Sequence, residues 1–266
     1  MIFFIPSRGR KNIVDRYTLP QLYNILKPGD KIFIIVTGPE YVEYANVLQR
    51  FDREKVRLAE CPHYNLPQTC DWIVEACTTS LVDKCFIVDD DLTFFYKRWD
   101  TEDRAKYATP DQLRQGFEDM EEALSDQVPM VGMRHKRFSN RRHTSAIRFD
   151  RRIIGVMGLY IPVVKHFSFD WGHESLSDQY MNLVLIEAGY HTATVTGYVF
   201  DSYQAQFGEG GCSAYRTPAT YSAACHALVE RFPLGAKLRT KTVKGKPCFD
   251  VIVNPWKVHP TWKRKN

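Results

Sequence analysis

Three short stretches of this chain are apolar without a break: Ile2–Ile5, Ile32–Val36 and Cys85–Val88. A strand with one wet face alternates apolar and polar residues, so an unbroken run marks a strand covered on both faces. Helical patterns separate these runs, at Thr18–Leu26, Glu40–Phe51 and Gln68–Ser80, the last carrying Trp72, Ile73, Ala76 and Cys77. Val56–Ala59 reads as one more short strand. Strands and helices in alternation predict an α/β fold, a mostly parallel sheet with helices on both faces.

The second half continues the pattern. Thr109 is placed to cap a helix and Pro110 suits its first turn; Leu113, Phe117, Met120 and Leu124 then recur at helical spacing. Met130–Met133 and Ile153–Pro162 read as strands. Ser177 is expected to cap a helix whose apolar face is Met181, Val184, Leu185 and Ala188, stopped by Gly189. Thr217 and Pro218 open a helix reaching Phe232, and Lys237–Val243 with Cys248–Val253 read as a hairpin turning near Lys244-Gly245. The expected organisation is a core over residues 1–205, with a small C-terminal helix and β-hairpin appendage over 206–266.

Apolar residues make up 44% of the 266 residues and charged ones 25%, which excludes a largely disordered chain. No run approaches the length of a membrane span, and Met1–Ile5 ends at Pro6, too short for a secretory signal, so an intracellular protein without membrane association is expected. The cysteines, seven in number, contain no Cys-x-x-Cys pair, so they are expected as small free core residues rather than a zinc site or disulfide framework. Charge is unevenly spread. The net charge is +5, yet residues 134–152 alone carry +7 and residues 237–266 carry +8. Such concentration points to a polyanionic partner; solvated faces are the alternative.

The sharpest chemical feature is Phe86-Ile87-Val88-Asp89-Asp90-Asp91-Leu92. Adjacent carboxylates at the end of a buried strand repel one another in a low dielectric, and a divalent cation with oxygen ligands, Mg²⁺ or Mn²⁺, relieves the conflict. The carboxyl end of a parallel strand is also where open α/β sheets bind ligands. Two enzyme classes place acids there. Asp89-Asp90-Asp91-Leu92-Thr93 matches the Asp-x-Asp-x-Thr of haloacid-dehalogenase-like phosphatases. That class needs the motif near the start of its core and a later strand ending in paired acids; here Phe200-Asp201-Ser202 lacks the second acid.

The other class is the GT-A glycosyltransferases, whose Asp-x-Asp follows an apolar strand after a nucleotide-binding half. Ile5-Pro6-Ser7-Arg8-Gly9-Arg10 resembles the first nucleotide loop of that fold, Thr37-Gly38 ends the second strand at the same edge, and Asn65-Leu66-Pro67-Gln68 precedes the third helix where base or ribose is contacted. Trp171-Gly172-His173-Glu174-Ser175-Leu176-Ser177-Asp178 resembles the Glu-Asp region in which an acid opens a helix that closes with Gly189-Tyr190. The resemblance implies a GT-A (Rossmann-like) fold with a nucleotide-sugar half over residues 1–95 and an acceptor half over 96–205. It implies donor contacts from Pro6, Ser7, Arg8, Arg10, Thr37, Asn65, Gln68, Asp89, Asp90, Trp171 and Gly172. Gly210, Gly211 and Arg216 form a candidate diphosphate loop, and a plain surface turn is the alternative there. The metal is implied on Asp91 and Asp89, with Asp201 at a third position.

The compact chain, the Ile-Pro-Ser-Arg-Gly-Arg start and the Val-Asp-Asp-Asp-Leu run also resemble the bacteriophage TET-associated glycosyltransferases, which modify hydroxymethylated pyrimidines in phage DNA. The resemblance implies a UDP-sugar donor, a Mn²⁺ or Mg²⁺ cofactor and double-stranded DNA carrying 5-hydroxymethylcytosine as acceptor. Arg134, Lys136, Arg137, Arg141, Arg142 and His143 are then candidates for DNA contact, and Asp178 for the base that takes the hydroxyl proton. The expected location is cytoplasmic, in the host if the chain is phage-encoded. An acceptor that is polysaccharide, protein or a small molecule stays open, as does a non-enzymatic nucleic-acid-binding protein.

Overall fold

The computed structural model describes residues 1–98, 100, 104–138, 145–203, 216–243 and 246–262. In chain order the first half is β1 (Ile2–Pro6), α1 (Lys11–Arg16), α2 (Thr18–Tyr23), β2 (Lys31–Val36), α3 (Tyr41–Leu48), β3 (Val56–Glu60), α4 (Leu66–Thr79) and β4 (Lys84–Val88). The second half is β5 (Leu92–Tyr96), β6 (Lys106–Tyr107), α5 (Pro110–Ala123), β7 (Met130–His135), β8 (Ile147–Phe149), β9 (Val156–Tyr160), α6 (Ile161–Val164), α7 (Ser177–Glu187) and β10 (Thr192–Ser202). The chain closes with α8 (Pro218–Arg231), β11 (Ala236–Val243) and β12 (Lys246–Val253).

One large sheet runs β3-β2-β1-β4-β9-β7-β10-β5-β6, with β8 also paired to β10. The three unbroken apolar runs, with β3 at the edge, form its parallel portion, β3-β2-β1-β4, and β7 lies parallel to β10. β9 runs antiparallel between β4 and β7, and β5 returns antiparallel to β10. Covering both faces splits the core in two. On one side Phe117 of α5 meets Phe3, Phe86 and Phe94 edge-on at ring distances of 5.0, 5.2 and 5.9 Å. On the other, α4 sets Cys70, Ile73 and Cys77 against Phe4, Ile87 and Cys85. The cysteines at 61, 70, 77, 85 and 225 are buried outside any disulfide, as small core residues should be.

Local signals hold at most helix ends. Thr109 and Thr217 both head capping boxes, with Gln112 and Thr220 as the reciprocal partners. α7 departs from expectation. Leu176, in the left-handed region at φ 66°, is its N-cap, and Ser177 is already the first helical residue without a capping bond. A third apolar cluster joins Leu183 of α7 to Tyr221, Cys225 and Leu228 of α8 and to Val251 of β12. The C-terminal hairpin is thereby packed onto the core. Among the described residues no helix is long and apolar enough to cross a membrane.

Candidate active site

β1 lies between β2 and β4, so the strand order reverses between β1 and β4, and that reversal opens a crevice at their carboxyl ends. Phe3 pairs with Phe86 and Phe4 with Ile87, which brings the segments Ser7–Arg10 and Asp89–Asp91 side by side. Asp90 is the most constrained acid. Its Oδ2 accepts from the Ser7 hydroxyl at 2.6 Å and its Oδ1 from Arg10 Nη1 at 3.1 Å. Tyr44 Oη lies 2.8 Å from Ser7 Oγ and accepts from the Arg10 amide at 3.0 Å. A carboxylate only accepts, so Ser7 gives its proton to Asp90 and Tyr44 donates to Ser7. Burial lifts the Asp90 pKa to about 6 against the pull of Arg10 and Ser7.

Asp91, also buried, lies 3.6 Å from the same Arg10 nitrogen. Asp89 is held by its backbone: its amide donates to the Gly155 carbonyl and its carbonyl accepts from the Thr18 hydroxyl. Burial first, then the charges of Asp91, Asp178 and Asp90, push the Asp89 carboxyl well above the usual carboxylate range. All three acids line one cleft with about 1190 Å³ of empty space, open solvent included. The same cleft is lined by Asp178, which stands in the first turn of α7, and by Arg216. Burial raises the Asp178 pKa, opposed by Arg152, by the Gln179 amide that donates to Asp178 Oδ1 at 2.7 Å, and by Arg216. Arg216 in turn donates to Ser175 Oγ at 3.1 Å.

The carboxylates of Asp89 and Asp91 suit a hard divalent cation in donor type, and their mutual repulsion is what such an ion relieves. Among the described residues no group of three or more His, Cys, Asp or Glu is arranged to hold a metal ion. The fit is to an ion held by one or two carboxylates and completed by phosphate oxygens, the usual situation of Mg²⁺.

A smaller pocket, about 410 Å³, adjoins the cleft through Pro6 and Leu66. It gathers Pro6, Ser7, Arg8, Thr37 and Asn65 from the predicted set, with Tyr64 and His63. Arg8 donates to the Tyr64 carbonyl at 2.7 Å and lies over its ring at 5.2 Å. Thr37 donates to Glu40 at 2.8 Å. Asn65 Oδ1 caps α4 by accepting from the Gln68 amide at 2.9 Å.

Other predicted residues lie elsewhere. Gln68 donates to Asp170 at 3.1 Å and lines neither cavity. Trp171 stacks on Tyr180 at 4.9 Å and donates to the Ser175 carbonyl, so it serves packing around α7; Gly172 sits in the left-handed region at φ 82°. Phe200 and Ser202 line the cleft while Asp201 between them does not, and its carboxylate lies 3.7 Å from His135 Nε2. Arg134 lines a neighbouring cavity, Lys136 Nζ lies 3.6 Å from the centre of the Phe95 ring, and Arg137 is exposed. Arg141, Arg142, His143, Gly210 and Gly211 fall outside the described residues. His135, Arg152, Glu174 and Tyr221 line the cleft without having been singled out for it. Arg152 and His135 belong to the basic segment, whose charge was the only signal available for them.

The TET-associated glycosyltransferase family model matches residues 1–211. The chain belongs to that family. Membership decides between the two classes that share the Asp motif and removes the phosphatase alternative. No curated protein sequence matches the chain significantly. Among solved structures, S. aureus TarS 1-349 in complex with UDP-GlcNAc superposes with a TM-score of 0.54 at 9% identity, covering 86% of this chain and 66% of that one. The chain thus spans just under two thirds of that relative. The same protein with UDP gives 0.51 at 8% identity over 86% and 65% of the two chains. A mycobacterial protein gives 0.53 at 9% identity over 95% and 82%. At such identities the likeness is one of fold, and the TET-associated glycosyltransferase presented here has the GT-A-like architecture expected of its sequence.

Proposed function

We propose that the protein transfers a sugar from a UDP-sugar to the hydroxymethyl group of 5-hydroxymethylcytosine in duplex DNA. The observation that carries this reading is one cleft lined by Asp89, Asp91 and Asp178, adjoining through Pro6 and Leu66 a pocket at the β1 and β2 edge. The family supports the chemistry, and UDP and UDP-GlcNAc in the TarS structures support the donor class. In this scheme residues 1–95 hold the donor and 96–205 the acceptor, with α8 and the C-terminal hairpin packed on the same core.

The uracil and ribose occupy the pocket of Pro6, Arg8, Thr37 and Asn65, with the Tyr64 ring beside them. Arg10 and Arg216 present positive charge toward the diphosphate, while Ser7 and Arg10 keep Asp90 as the fixed anchor of the loop. Mn²⁺ or Mg²⁺ bound by Asp91 and Asp89 would neutralise charge on the leaving diphosphate. Asp178 takes the proton of the primary alcohol as it attacks, an inverting displacement in which the sugar–phosphate bond breaks and the sugar–oxygen bond forms. The raised Asp178 pKa makes it a stronger base than an ordinary carboxylate. Arg134, Lys136 and Arg137 are the candidate DNA contacts among the described residues; Arg141, Arg142 and His143, candidates from the same stretch of sequence, lie outside them. Reaching the cleft requires the target base to leave the stack.

A donor screen tests the reading. Protein, Mn²⁺ and a panel of UDP-sugars are incubated with 5-hydroxymethylcytosine duplex, plain duplex or free sugars, and released UDP is measured. Release that depends on the modified duplex is expected. Release only with free sugars would move the acceptor class, and no release with any donor would overturn the proposal.

A further inference from the structure

A second cavity, about 900 Å³, opens beside the donor cleft and shares His135, Arg152 and Ile154 with it. Five arginines line it, Arg134, Arg148, Arg151, Arg152 and Arg239, and among the described residues no acid does. They come from three places: β7, the segment from β8 onward, and the C-terminal hairpin, whose Arg239 and the following Trp256 close the far wall. The hairpin lies beyond the family match, which ends at residue 211.

The fold gathers this charge by a specific backbone device. A continuing strand would send Arg151 and Arg152 to opposite faces. Asp150 instead turns in the left-handed region at φ 54°, its carboxylate accepting from the Thr192 amide and contacting His191 Nδ1 at 3.0 Å. Arg151 and Arg152 then both line the cavity. Asn182 fixes the turn by donating to the Arg151 carbonyl at 2.9 Å. The Arg151 guanidinium lies 4.6 Å from the centre of the Trp256 ring, and its Nε is buried without a hydrogen-bond partner. Asp250 balances Arg239 through a bond of 2.6 Å from outside the lining. Repulsion within the group is felt: burial, then Arg148 and Arg151, bring the Arg134 pKa down to about 10. Five guanidinium groups lining one cavity suit an anionic ligand, and guanidinium forks match phosphate oxygens best.

We propose that this arginine chamber grips a backbone phosphate of the nucleic-acid acceptor next to the nucleotide whose base enters the cleft. The proposal rests on the DNA-acceptor reading and adds to it a site built jointly by β7, β8 and the C-terminal hairpin. The donor diphosphate belongs at the β1 and β4 edge, beyond His135 and Arg152. Arg137 and Phe149, neighbours in sequence of the lining residues Arg134 and Arg148, are exposed.

The test combines a chemical scan with variants. A 5-hydroxymethylcytosine duplex is made with one neutral methylphosphonate at each position in turn around the modified base, and binding is followed by fluorescence anisotropy. One position beside the target should weaken wild-type binding about tenfold, as loss of a charge-assisted contact does. Arg148→Ala with Arg151→Ala should weaken the unsubstituted duplex by a similar factor and become indifferent to that position. Its slope of log affinity against log salt should flatten by about 1, with UDP affinity unchanged in calorimetry. Arg151→Lys, which keeps the charge but loses the fork, should fall between, and it serves if the double variant does not fold. Wild-type binding with no sensitive position, or a folded double variant with wild-type affinity and slope, overturns the chamber. So does an equal loss of UDP affinity, which would assign these arginines to the donor. If the phosphate pattern holds while no sugar is transferred, the transferase reading falls and the chamber stands. If transfer occurs without the pattern, the reverse follows.

Discussion

Replacing Ser7 by alanine removes a single oxygen from a buried ionic network, and its cost should depend on pH. The Ser7 hydroxyl donates to Asp90 over 2.6 Å, and both residues are buried. While Asp90 is ionised, this is a hydrogen bond to a charge, worth about 1.5–3 kcal/mol; once Asp90 is neutral it is worth about 0.5–1.5 kcal/mol. The gap, on the order of 1–1.5 kcal/mol, corresponds to a rise of roughly one pH unit in the Asp90 midpoint when Ser7 is lost. Because the folded pKa of Asp90 is about 6, above the ordinary aspartate value of 3.8, the wild type sheds stability as pH rises between the two. The variant, with a still higher midpoint, continues to shed it to higher pH, so the two stability curves separate between about pH 5 and pH 8. Urea unfolding of both proteins at these two pH values measures the difference. Ser7→Ala should cost about 0.5–1.5 kcal/mol at the lower pH and about 1.5–3 kcal/mol at the higher. Equal costs, or a larger cost in acid, would refute the assignment of the Ser7 proton to an ionised Asp90.

Asp91→Asn should cut UDP-sugar-dependent turnover at least ~100-fold, on the order of 3 kcal/mol in the barrier, while melting stays cooperative; full activity of the variant, or of the wild type in EDTA, would remove Asp91 from a metal role. Asp178→Asn should abolish turnover without weakening UDP binding, and the wild-type rate should rise with pH through a midpoint above the ordinary carboxylate range, since the base acts ionised. The same substitution should stabilise the fold at neutral pH and not near pH 4: a raised folded pKa means stability lost as pH climbs through it, and asparagine carries no such penalty. A loss of UDP affinity equal to the loss of turnover would make Asp178 a donor-binding group. Gly155→Ala places a Cβ 3.1 Å from the Phe200 ring and 3.2 Å from Asp89 Oδ2 at φ 67°. It should cost about 1–2 kcal/mol in urea unfolding and lower activity by displacing Asp89; an unaffected protein would mean that the turn carries no constraint.

What the amino-acid order determined by itself is whatever rests on neighbours along the chain. Unbroken apolar runs meant strands buried on both faces, and they became β1, β2 and β4. Threonine followed by proline marked the starts of α5 and α8, because a cap needs only residues within one turn. The Asp triplet announced its own chemistry, since three carboxylates after an apolar strand demand compensation wherever the strand lies. Tertiary structure decided how those acids divide. Asp90 is taken by Ser7 and Arg10, Asp91 shares Arg10, and Asp89 feels the charge of Asp178 in the same cleft. Nothing in the local sequence distinguishes the three, because the distinction comes from a loop and a helix some 80 residues away on either side. The same holds for Asp201, which strand alternation turns out of the cleft between Phe200 and Ser202, and for Ser177, displaced from the cap by the left-handed Leu176. The basic segment was legible as charge, but the turn at Asp150 and the docking of the hairpin decided which arginines converge. Periodicity and caps are short-range and can be read from one stretch of chain; convergence of charges is a long-range property, set by strand order and packing between segments that the sequence alone does not bring together.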